Sequence, residues 1–93
     1  MYIEEWQWDD GNREELARHG VTSRIVYQVW QEAPHYRKNA KKHRAASHQM
    51  IGPDKGGRMW LICIKRVSRP LNLWRAVTGW SAEQEDVDWY WRN

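Results

Sequence analysis

The chain has 93 residues, a net charge of +3, and 41% hydrophobic residues including eight tryptophans and no phenylalanine. That length supports one domain with one core, and the apolar share excludes a disordered chain. A single cysteine excludes an internal disulfide. The N-terminal Met-Tyr-Ile-Glu-Glu-Trp has neither a basic n-region nor an apolar h-region, so no signal peptide is expected, and no stretch approaches a membrane span. With Cys63 expected to be a buried thiol, the composition fits a reducing, cytoplasmic setting.

Charge is unevenly placed. Residues 1–17 balance to −5, residues 18–75 to +11 and residues 76–93 to −3. A basic middle between acidic ends points to a polyanion-facing surface, with nucleic acid as the natural partner; a solvated charged surface is the plainer alternative.

In chain order, residues 2–8 alternate loosely and predict a short strand. Asp9 or Asp10 caps a helix running to about His19, where the acids suit the positive end of the helix dipole. Gly20 takes the left-handed position after it, and Leu16 and Val21 then make the apolar contact of a Schellman ending. Thr22 caps a second helix, with Val21 and Val26 as a hydrophobic staple and Ile25, Val26, Val29 and Trp30 as its stripe. Ala33-Pro34 ends it.

Residues 35–44 hold five Lys/Arg, two His and one Tyr without an acid, and read as a loop leading into a strand at about 45–51. Gly52 to Gly57 is turn chemistry that makes a hairpin into Met59–Ile64, the only run of six consecutive apolar residues and thus the expected central strand. Ser68-Arg69-Pro70 is a second turn, followed by a strand over 73–79. Ser81 is then expected to cap a last helix, with Gln84 completing a capping box. The predicted order is β-α-α-β-β-β-α: one α+β domain over 1–93, an antiparallel sheet with its helices mainly on one face.

Trp8-Asp9, Asn12, Leu16, Arg18-His19-Gly20-Val21-Thr22, Val29-Trp30 and Ala33-Pro34 resemble the front half of BrnT-type toxins. Ile51-Gly52, Gly57-Arg58, the apolar strand and Arg75-Ala76-Val77-Thr78 resemble their back half. The resemblance implies a fold similar to RelE-type ribonucleases, a cytoplasmic protein that handles RNA on its sheet, and a small DNA-binding antitoxin as partner. Where the family carries Ala-Arg, Glu-Arg and Tyr, this chain reads Gly79-Trp80, Asp86-Val87 and Tyr90.

Metal-independent RNA cleavage needs a base for the 2′-OH, an acid for the leaving oxygen, and cations for the charge developing on phosphorus. His43, beside the basic loop, is the favoured acid/base, ahead of His48, which shares its parity with core-facing Met50. Arg58 and Arg75 are the candidate phosphate holders; a structural ion pair with an acidic end is the alternative for mid-strand Arg75. Arg37, Lys38, Lys41, Lys42, Arg44 and Lys65 form the expected binding field, with Tyr36 as a base-stacking ring. One Cys and four scattered His give no metal-ligand spacing, and no phosphate-loop motif implies a nucleotide cofactor. The leading expectation is therefore a toxin-like endoribonuclease of a type II toxin–antitoxin pair. A non-catalytic RNA- or protein-binding module on the same fold is the alternative, and the substituted Arg and Glu-Arg positions motivate it.

Overall fold

The computed structural model describes residues 1–39 and 45–93. Eight elements follow one another: β1 (Glu5–Trp6), α1 (Asp10–Ala17), α2 (Ser23–Gln31), β2 (His35–Lys38), β3 (His48–Pro53), β4 (Met59–Ser68), β5 (Leu73–Ser81) and α3 (Gln84–Arg92). The strands form one five-stranded sheet in the order β1-β5-β4-β3-β2. The α+β class holds, with corrections. The sheet is mixed, because β1 runs parallel to β5. Residues 35–38, expected as loop, form the edge strand β2, which pairs antiparallel with β3. Four residues of mixed character carry no period, so this strand is specified by its partner and not by its own pattern.

The two-helix front follows local rules. Asp9 caps α1: its Oδ1 accepts from the Asn12 N–H at 3.0 Å, and the Asn12 side chain accepts from the Asp9 N–H at 2.9 Å. The helix closes with Gly20 at φ +78°, a conformation glycine adopts without penalty. The Val21 N–H reaches back to the Leu16 carbonyl at 3.0 Å, and both side chains are buried. Thr22 caps α2 through its hydroxyl, which accepts from the Ile25 N–H. Ser81 does not cap α3; it pairs with Trp60 as the last residue of β5. Glu83 takes the cap position, its N–H donating to Asp86.

Alternation along β4 sends Trp60, Ile62 and Ile64 to one face and Leu61 and Cys63 to the other. The first face packs against Leu16, Val21, Val26 and Val29 of the α1–α2 layer. The second packs against Tyr90 of α3. Helices therefore cover both faces, two on one and one on the other, so β4 is buried on each side of the sheet as an uninterrupted apolar run requires. At Gly79 a Cβ would stand 2.9 Å from the Leu61 carbonyl oxygen, so only glycine fits where β5 crosses β4 there. Among the described residues no helix is long and apolar enough to cross a membrane.

Candidate nucleic-acid interface

The α1–α2 layer ends before the sheet does. Beyond it, β2, β3, β4 and β5 present Lys38, His48, Arg66 and Trp74 on the same face, since Lys38 pairs with His48 and Arg66 with Trp74 in the ladders. Trp74 is buried and forms the floor. The His48 ring meets it edge-on at 5.7 Å, and the Arg66 guanidinium lies over it at 5.1 Å. Arg69, in the turn after β4, completes a cleft of about 480 Å³ that Ser47 and Met1 also line.

Electrostatics set this cleft apart. Burial, then the positive charges of Lys38 and Arg66, hold the His48 imidazole below its ordinary pKa of 6.5. The ring is thus neutral at pH 7, and its Nδ1 lies 2.9 Å from the Ser47 hydroxyl oxygen. No acid neutralises the cluster: among the described residues Lys38, Arg66 and Arg69 have no carboxylate partner. The Arg66 Nε is buried without a hydrogen bond. An unpaired, half-buried guanidinium beside other cations is unfavourable for folding, and it suits an anion arriving from outside.

The other half-buried arginines are neutralised. Arg75 grips Asp9 with two bonds, 2.8 and 2.9 Å, and donates to Gln7 at 3.2 Å. These bonds, more than any other cause, pull the Asp9 carboxyl down to about 2. Arg37 donates to Asp86 at 2.6 Å and to Gln49 at 2.7 Å, and lies 4.7 Å over the Trp89 ring. Arg58, just before β4, is exposed and stacks over Trp60 at 4.5 Å without an ion pair among the described residues.

The two described members of the expected catalytic set, Arg58 and Arg75, are not brought together. Arg75 pairs across the ladder with Lys65, seven residues along β4 from Arg58. At strand rise the two arginines stand roughly 20 Å apart, too far to share a phosphate. His43, Lys41, Lys42 and Arg44 lie outside the described residues. Tyr36 packs against the α1–α2 core, and burial pushes its phenol up to about 12, so its ring belongs to the core more than to a stacking platform. Lys65 is exposed on the α3 side of the sheet, and Lys38, exposed at the sheet edge beside His48, does not itself line the cleft. Of the neighbours Lys65 and Arg66, which alternate between faces, the sequence put Lys65 in the binding field, and Arg69 was read only as part of a turn. The available signal for Arg66 was parity with Ile62 and Ile64, which places it on the Trp74 face. Burial pushes the Cys63 thiol up to about 11, so it is no nucleophile at neutral pH. Among the described residues no group of three or more His, Cys, Asp or Glu could hold a metal ion.

A second concavity, of about 280 Å³, lies on the opposite face between α3 and the sheet. Arg37, Lys38, Gln49, Trp80, Glu83 and Glu85 line it. No family model matches the chain, and neither a curated protein nor a solved structure matches it.

Proposed function

We propose that this chain is a toxin-like, metal-independent endoribonuclease with a BrnT-like, RelE-type architecture, acting on single-stranded RNA held in the Trp74 cleft. The observation that supports the reading is the cluster of His48, Arg66 and Arg69, with Lys38 at its edge, which no carboxylate among the described residues neutralises. Arginine forks match two phosphate oxygens, and a neutral imidazole beside them is a base at pH 7. In this mechanism His48 takes the proton of a ribose 2′-OH and the 2′-oxygen bonds to phosphorus. The P–O5′ bond then breaks, and the 5′-oxygen takes a proton from water. Arg66 and Arg69 hold the charge that develops on the phosphoryl oxygens. The products are a 2′,3′-cyclic phosphate and a 5′-hydroxyl. The natural partner is a small antitoxin protein, and the setting is the cytoplasm.

The second reading is an RNA-binding module without cleavage. One observation favours it: the cleft holds one imidazole, with no second His and no carboxylate lining it among the described residues. Incubating the purified protein with single-stranded RNA in chelator separates the two. Cleavage that His48→Ala abolishes supports the nuclease. Salt-sensitive binding without products leaves the binding module, and absence of binding refutes both.

A further inference from the structure

We infer that the concavity between α3 and the sheet is the base pocket of the same bound strand, and that it reads a guanine. This rests on the cleft being an RNA site. The two cavities flank one edge of the sheet. The pair Arg37–Gln49 contributes to the α3-side pocket, and of the next pair along the ladder, Lys38–His48, His48 lines the cleft. Successive residues of a strand point to opposite faces about 3.3 Å apart along it. Lys38 links the two sides at this edge: it lines the pocket, and its charge acts on His48 in the cleft. A strand that places a phosphate over Trp74 therefore turns round the edge at Lys38 and delivers a base to the other face.

The pocket's size and chemistry choose the base. At about 280 Å³ it falls just under the roughly 300–1,000 Å³ of drug-sized sites, which suits one nucleobase. Trp80 supplies a half-buried ring as a stacking wall. Much of the lining is already engaged. The Gln49 amide donates to Asn39 and its oxygen accepts from Arg37. Asp86 accepts from Arg37 and from the Glu83 N–H. The exposed Glu85 carboxylate has no ion-pair partner among the described residues, and neither has the Lys38 ammonium. Guanine alone offers two adjacent donors, N1–H and the exocyclic amine, to a carboxylate, and an O6 acceptor to an ammonium. Adenine turns a lone pair at N1 toward the carboxylate, and cytosine does so at N3. Uracil has a single donor between two acceptors.

The test is fluorescence anisotropy with labelled eight-nucleotide oligouridines carrying one central G or one central A. The native chain is expected to bind the G strand on the order of tenfold more tightly, the discrimination of one good two-bond contact. Glu85→Gln, on the exposed first turn of α3, should bring that ratio close to one. Arg66→Met should weaken both strands together. Equal native affinity for G and A, with Arg66→Met still weakening both, overturns the guanine pocket and leaves the cleft standing. Binding of neither strand overturns the pocket together with the RNA reading.

Discussion

Arg66→Met is the sharpest perturbation of the proposed RNA grip. Three cations line the cleft without a carboxylate partner among the described residues, namely Arg66, Arg69 and the Met1 ammonium, and His48 is neutral at pH 7. Each phosphate contact on a single strand gives a slope of about −0.7 in log K against log salt, so the native slope should be about −2 and the variant's about −1.4. Between about 50 and about 200 mM salt, native affinity then falls about 18-fold and variant affinity about sevenfold. Acidification below the His48 pKa adds a fourth charge and steepens the native slope to about −2.8. Stability should barely respond. The Arg66 side chain makes no hydrogen bond or ion pair among the described residues, and its contact with the Trp74 ring contributes about 0.5–1 kcal/mol, which methionine packing partly replaces. Anisotropy titrations over a salt series, paired with urea melts, measure both quantities. An unchanged slope would remove Arg66 from the interface. Weaker binding accompanied by a stability loss above about 2 kcal/mol would make Arg66 a structural residue instead.

The remaining predictions concern what holds the site in place. Asn12 is 2% exposed; its amide donates to the Ala76 and Gln7 carbonyls, and its oxygen accepts from the Asp9 N–H. Asn12→Ala should cost about 3 kcal/mol, near 1 per bond, and lower Tm by roughly 12–24 °C; a calorimetric shift of a few degrees would show these bonds to be minor. The Asp9 carboxyl, ordinarily at 3.8, is held at about 2, so its pairing with Arg75 stabilises the fold fully above the ordinary value and is lost as pH falls through about 2. Urea midpoints at pH 5, 3 and 2 should fall less steeply in Arg75→Gln than in the native chain, and parallel profiles would refute the pairing. Arg37→Ala leaves the Asp86 side chain, 10% exposed, without its cation, and should cost about 2–3 kcal/mol because the pair is partly buried. The loss should appear with a red-shifted emission from Trp89, and an unaltered spectrum would mean that α3 stays docked.

Local chemistry made the front of the fold legible. The stretch from Leu16 to Val26 contains a stop, a left-handed glycine, a new cap and a staple within eleven residues, each satisfied by neighbours in sequence. What escaped was non-local. No property of His35–Lys38 says that it lies beside β3, and nothing in Glu5–Trp6 says that it returns parallel to β5. Ser81 has the side chain of a cap, but its backbone belongs to the ladder with Trp60, so pairing overrode the local signal. The same reason governs the site. His48 was readable as a partner of Met50 on one face. The cation over Trp74 beside it became visible only once β4 and β5 were in register.

That register decides which arginine is available. Arg66 and Arg75 occupy neighbouring rungs of the β4–β5 ladder, Arg66 opposite Trp74 and Arg75 opposite Lys65. Adjacent rungs point to opposite faces, so the two guanidiniums see different surroundings. Arg75 meets the N-cap of α1, where Asp9 neutralises it and ties the first helix to the sheet. Arg66 meets an indole ring, which attracts a cation through its π face but cancels no charge. A paired arginine would have to break two short bonds to bind phosphate; an unpaired one gains them. The acidic N-terminal stretch therefore does more than offset the basic middle. By neutralising Arg75 it leaves Arg66 the unpaired guanidinium of the two, and on the Trp74 face a phosphate meets an arginine that has no ion pair to break among the described residues.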